Sequence, residues 1–258
     1  MIELRPPRSL FHVEGGWFSA NWHFSFDTYY DAANTRFGDL RVFNDDRLVP
    51  GAIWPMHPHR DIEGITYVAE GTFRHADSMG NGGILPPGSV QRATLGSGMM
   101  HSEQNGSETE PMRFIQMWIM PARLGLPPSV EQSAADDAEW ARRRDRLVPV
   151  LVPAEGYGGD DAPAADGLVT VHQDATVYAG VLSAGAESRH RMRPGFGGYL
   201  FVVHGSLASV TDASADGDRG AGGLEGGGAA KVTDVEELVV RAGDFDAEVL
   251  LVETRLPA

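Results

Sequence analysis

Short apolar runs, each closed by glycine, proline, asparagine or aspartate, recur through residues 40–120: LRVFNDD, GITYVAEG, TFRHADSMGNGG, SVQRATLGSG and MRFIQMWIMP. Runs this brief, and this rich in β-branched and aromatic residues, read as strands joined by tight turns. MGNGG at residues 79–83 marks a hairpin, because Asn-Gly tolerates the positive φ angles that such turns demand. The same grammar returns after residue 167 in LVTVHQDATVYAGVLSAG, GYLFVVHGSLASVTD and EELVVRAGDFDAEVLLVETRL. One segment reads as helical, residues 129–147, where Ser129 would cap VEQSAADDAEWARRRDRL. Residues 148–167 begin apolar and end as a loop of Gly, Pro, Ala and Asp, which puts a boundary here. The expectation is an all-β chain of two domains, residues 1–147 with the connecting helix and residues 148–258.

The two halves also rhyme. TYVAEGTF can be laid on LFVVHGSL, matching Gly71 with Gly205, and PPGSV on RAGDF, matching Gly88 with Gly243. The second interval is longer by a low-complexity stretch within residues 213–231, ASADGDRGAGGLEGGGAAK. It is poor in apolar side chains and is expected to be a mobile loop. The pattern points to a duplicated β-barrel.

Charge and composition narrow the function. A formal charge of −15 and a pI near 4.9 repel phosphate backbones and anionic lipids, so no direct nucleic-acid or membrane binding is expected. There are no cysteines, which leaves only nitrogen and oxygen to hold a metal. Glu3, Arg5, Pro6, Pro7 and Arg8 stand where a secretion signal needs an apolar stretch, and no run approaches the roughly 18 residues of a membrane span. A cytoplasmic location is expected.

WPMHPHRDIEG, residues 54–64, is either a polar surface turn or half of a metal site. In a strand, alternation places His57 and His59 on one face, and Pro58 biases His57 towards an extended backbone. GSGMMHSEQN repeats the spacing with His101 and Glu103. Two such strands can supply three imidazoles and a carboxylate, a set suited to a divalent first-row transition metal with about two open positions. Imidazole argues against Ca2+ and Mg2+, whose ligands are mostly oxygen.

HPHRDIEGITYVAEGTFRHADSMGNGG, PPGSVQRATLGSGMMHSE and MRFIQMWI resemble the pirin family, specifically the bacterial pirin-like proteins assigned quercetin 2,3-dioxygenase activity. NWHFSFDTYYD and FGDLRVFNDDRLVPG extend the likeness over residues 15–132; beyond about residue 150 it rests on strand rhythm. The resemblance implies a bicupin: two antiparallel double-stranded β-helix (cupin) barrels with a short helix between them and one metal in the first. It places the ligands at His57, His59, His101 and Glu103. It implies iron as the leading metal, with Mn, Co, Ni, Cu and Zn compatible with the donors.

Gly51, His57, His59, Glu63, Gly80, Pro86 and Gly88 also fit the broader cupin pattern, but its later histidine falls on Gln91. Glu63 is accordingly assigned to a supporting or salt-bridge role. The implied reaction takes a flavonol such as quercetin and O2, opens the heterocycle and releases CO, with Glu103 accepting the proton of the 3-hydroxyl. Phe43, Met56, Met99, Met117 and Trp118 are candidates for the apolar wall. The alternative class is an iron-binding, redox-sensitive regulator acting through a protein partner. His23 is expected to be packed, and His12, His75, His172 and His204 to be ordinary. His190 faces only Met192 in RHRMRPG, so the second barrel is expected to be metal-free. A monomer is expected.

Overall fold

A computed structural model describes residues 1–213 and 222–257, and among them strands predominate. Each half is a sandwich of a seven-stranded and a four-stranded sheet, the form the double-stranded β-helix takes here. In the first half, strands Leu40–Leu48, Glu63–Glu70, Val90–Thr94 and Met112–Ile119 lie in the large sheet. Ile53–His59, Phe73–Asp77, Gly82–Leu85 and Met99–Asn105 form the small one. The second half repeats this order, with Ala175–Leu182, Phe196–His204, Ala229–Val232 and Ala247–Arg255 against Glu187–Arg191, Ser206–Asp212, Leu224–Glu225 and Glu237–Ala242. The 79–83 signal becomes the turn between Phe73–Asp77 and Gly82–Leu85.

The two large sheets pack face to face. Phe43, Ile65, Tyr67 and Met117 from the first share one apolar cluster with Tyr199, Phe201, Leu250 and Val252 from the second. Alternation does the sorting: the odd residues Phe43, Asp45 and Met117 meet the other half, and the even residues Asn44, Asp46 and Gln116 turn into the first sandwich. Further strands extend both large sheets, one of them crossing between the halves. Ile2–Arg5 extends the second half's sheet by pairing with Ala229–Val232, and Ser129–Ser133 extends the first half's by pairing with Val90–Thr94.

Two sequence expectations need correction. The segment 129–147 is not one helix: it opens as the strand Ser129–Ser133, and only Asp137–Arg142 is helical, capped by the Asp136 side chain accepting the Glu139 amide at 2.9 Å. Pro127 and Pro128 deliver the chain extended, and the open edge of Val90–Thr94 claims it. The stretch 213–231 is not loop throughout. Leu224–Glu225 and Ala229–Val232 are strands, with Ala229 and Ala230 fully buried, because small side chains suit a strand paired on both sides. Residues 214–221 lie outside the described residues. No helix among the described residues is long and apolar enough to cross a membrane.

Candidate metal centre

Strands Ile53–His59 and Met99–Asn105 are antiparallel neighbours, and their register sets His57 directly opposite His101. Residues opposite each other on an antiparallel pair share a face. His59 joins them from two positions along. The three rings stand 4.5 to 5.3 Å apart by centroid, and one donor atom from each lies within 4.8 Å of the others. A bulge follows: Glu103 sits opposite Trp54, so three steps on one strand match two on the other. Among the described residues the three histidines form the group close enough to share an ion, and the bulge leaves Glu103 beside that group. Glu103 Oε1 lies 3.3 Å from His101 Nδ1.

The chemistry of these donors fits a metal. His57 donates Nδ1–H to the Pro55 carbonyl at 2.7 Å, which leaves the Nε2 lone pair available. His101 is buried, and neither ring nitrogen makes a hydrogen bond among the described residues. Burial pushes His59 down to about 4, helped by the charge of His57. Burial, with His57 and His59 beside it, pushes His101 down to about 3. Both rings are therefore neutral at neutral pH, the form in which imidazole can bind a metal. Burial pushes Glu103 up to about 8, the direction a nearby cation would reverse. Three converging imidazoles with unused nitrogens satisfy what a transition ion asks of a protein.

His75, read as ordinary, lies directly opposite Glu103 in the next strand, its ring 5.9 Å from His101. It is held between Asp77 Oδ2 at 3.4 Å and Gln91 Nε2 at 3.3 Å, and Gln91 Oε1 accepts from Gln132 Nε2 at 2.7 Å. The position where a cupin histidine would fall is thus committed to supporting His75. Glu63 faces the other half, where its Oε2 lies 3.3 Å from His172 Nδ1 and 3.9 Å from Arg92 Nε. That is a salt-bridge role, and it draws His172 into the junction. His23 is fully buried, Nδ1 to the Tyr199 hydroxyl at 2.8 Å, as a packed histidine should be.

His57, His59 and Glu103 open on a cavity of about 390 Å³, whose lining does not include His101. Its walls are Phe18, Trp22, Phe26, Trp54, Phe114 and Trp118; Phe18 meets Trp54, and ring contacts run from Trp22 through Phe26 to Trp118, which lies 4.7 Å from His59. Of the wall residues expected from sequence, Trp118 alone lies on this cavity. Phe43 and Met117 sit in the cluster between the halves, Met99 packs with Ala93 and Leu95, and Met56 is exposed. Nearness in sequence to the histidines is a poor guide to the wall, because alternation turns neighbouring residues to opposite faces.

The first half, residues 5–119, matches the family model described as Pirin, and residues 162–254 match that of the quercetinase C-terminal cupin domain. A quercetin 2,3-dioxygenase of Escherichia coli K12 is 35% identical, over 97% of this chain and 97% of that one. A pirin-like protein of Caulobacter vibrioides is 37% identical over 80% and 83%. The crystal structure of the bacterial pirin YhhW from Escherichia coli in complex with nickel(II) superposes with a TM-score of 0.82 at 33% identity, covering the whole of both chains.

Proposed function

The chain belongs to the pirin family, and from that premise we propose that it is a metal-dependent dioxygenase that opens the heterocyclic ring of a flavonol. The observation that carries this is the meeting of three histidines with unused nitrogens, two of which line an aromatic-walled cavity. A purely structural metal would have no use for such a cavity. At about 390 Å³ it falls within the range of small-molecule sites, roughly 300–1,000 Å³.

His57, His59, His101 and Glu103 would hold one divalent ion, with iron the leading identity and Mn, Co, Ni, Cu or Zn chemically admissible. When bound, that ion supplies Lewis acidity and a route for O2 to react with a spin-paired substrate. The protein's own part follows from its side chains. Glu103 accepts the proton of the flavonol 3-hydroxyl, standing buried beside His101 where water is scarce. Trp54, Phe114 and Trp118 hold the planar rings and limit access of water to the ring as it opens. His75, through Asp77 and Gln91, fixes the strand opposite Glu103. The balance is one flavonol and one O2 converted to a ring-opened ester and CO.

Oxygen uptake and CO release with quercetin, in iron-loaded and metal-stripped protein, test the reading. Turnover is expected only in the loaded protein and is lost in His101→Ala and Glu103→Ala. Turnover surviving both substitutions, or absent with every flavonol tried, defeats it; the second result favours a regulator acting through a protein partner.

A further inference from the structure

The cavity that His57, His59 and Glu103 line also carries polar groups that the chemistry above does not use, one of them, Asp46, within electrostatic reach of Glu103. Asn44 and Asp46 line the cavity from strand Leu40–Leu48, and Gln116 lines it from the paired strand Met112–Ile119. Asp46 is only 4% exposed, and its carboxyl has no hydrogen-bond partner among the described residues. Asn44 is 3% exposed, with Oδ1 buried and unpartnered. Gln116 Oε1 accepts from the Thr66 hydroxyl at 2.8 Å, which leaves its amide N–H groups for the cavity. Leaving such a group unpaired costs about 1–3 kcal/mol, and buried polar groups are paired in the large majority of cases. The fold does not require polarity here, since Leu48 on the same face packs in the interior cluster.

Building on the dioxygenase reading, the geometry points to a hydroxyl-recognition subsite in which Asp46, with Asn44 and Gln116, selects substrates bearing phenolic hydroxyl groups besides the 3-hydroxyl. A carboxyl keeps an acceptor oxygen in either protonation state, and a phenol is a good donor. The two amides add donors and acceptors whose orientation can suit the ligand. Phe18, Trp22 and Phe114 enclose the wall, so each bond forms where little water competes. A planar ligand without these further hydroxyls would cover the carboxyl and leave it unpaired. Discrimination therefore works through that penalty as well as through the bonds gained.

The test is anaerobic titration of metal-loaded protein, read by quenching of its tryptophan fluorescence, with quercetin and with 3-hydroxyflavone, which lacks the further hydroxyls. Wild type is expected to prefer quercetin by about tenfold or more. In Asp46→Leu the ratio falls to within about threefold, and Asp46→Asn, which retains an acceptor, lies between. Circular dichroism and metal content verify that each variant folds and loads; if Asp46→Leu does not fold, Asp46→Asn and Gln116→Leu must each still narrow the ratio. A ratio that persists in the variants, or a wild type without preference, overturns the subsite. If both compounds bind alike and are turned over, only the subsite falls. If neither binds, the flavonol reading falls with it.

Discussion

Arg113→Met should destabilise the protein by about 3–5 kcal/mol, because it removes one partner from a buried charge pair and strands the other. Arg113 and Asp45 have side chains only 4% and 2% exposed. They meet through two bonds, Nε to Oδ1 at 2.7 Å and Nη2 to Oδ2 at 2.9 Å, and Arg113 Nη1 also donates to the Val203 carbonyl at 2.7 Å. Asp45 has no other partner among the described residues, whereas Glu70, the guanidinium's third neighbour at 3.4 Å, reaches solvent. For a chain of this size the loss corresponds to a fall in Tm of roughly 6–20 °C. Differential scanning calorimetry and urea titration measure it, and added salt should alter it little, since a buried pair is weakly screened. Combining Arg113→Met with Asp45→Leu replaces the pair by apolar groups and should restore much of the loss. A single variant within about 1 kcal/mol of wild type, or a double variant no more stable than Arg113→Met, would refute the assignment of the loss to an uncompensated charge.

Three other outcomes are expected. Gly71→Ala and Gly205→Ala should each cost more than the about 1–2 kcal/mol of a left-handed backbone, since the added Cβ would meet the Pro111 carbonyl oxygen at 2.5 Å and that of Asp246 at 2.1 Å. Gly80→Ala, at φ +85 with nothing within 4 Å, should cost only the backbone strain, and equal losses by urea titration at all three would remove the steric explanation. His23 is held well below its ordinary pKa by burial and then by the charge of Arg5, so below about pH 6.5 the unfolded chain takes up a proton that the folded one refuses. Stability is full above that pH and falls as pH drops, and His23→Phe should flatten the acid slope of metal-loaded protein by up to one proton; unchanged slopes would discount this origin. Elemental analysis should find one equivalent of transition metal per chain, lost in His57→Ala, and a second tightly held equivalent would contradict a single centre.

What the sequence disclosed was local and periodic. The two-residue spacing of His57 with His59 holds wherever the chain is extended, and its repeat at His101 pointed to a third ring, so the three-histidine group was legible before its geometry was known; the bulge between His101 and Glu103 was not. The match of Gly71 to Gly205 was legible for a similar reason: each takes a left-handed φ, +76 and +72, with a backbone carbonyl where a Cβ would stand. Gly88 and Gly243 are a looser match, as Gly88 alone has positive φ. The cavity was not legible. Phe18 and Trp22 reach it because Phe18–Trp22 pairs with Leu40–Leu48, a long-range choice with no mark in either segment. Asn44 and Asp46 did leave a signal, two polar residues with one side-chain direction inside a buried strand, and their parity would have excluded Phe43 from the wall. The segment 129–147 misled because helix-compatible composition yielded to an unpaired sheet edge.

One topology, used twice, separates what stabilises this molecule from what it exposes to a ligand. In the first half the small sheet sets His57 opposite His101; in the second the equivalent pair of strands sets Ser188 opposite Val240 and His190 opposite Leu238. The second interior is filled by Leu200, Val202, Leu207, Val210, Leu238, Val240, Val249 and Leu251, a continuous apolar cluster. In the first, apolar filling by Leu48, Val68, Phe73, Leu85 and Met112 occupies one part, and the remainder holds a cavity and buried polar groups that fold at a penalty, Asn44 and Asp46 on its wall and His101 nearby. Isolated, such a sandwich would have little margin. Packed through its large sheet against a filled copy, with Arg113 and Arg92 bonded across to Val203 and Thr170, it shares a core larger than its own. The second half therefore need not hold a metal to matter for the chemistry: its packing offsets the loss of apolar filling that an open, polar site requires.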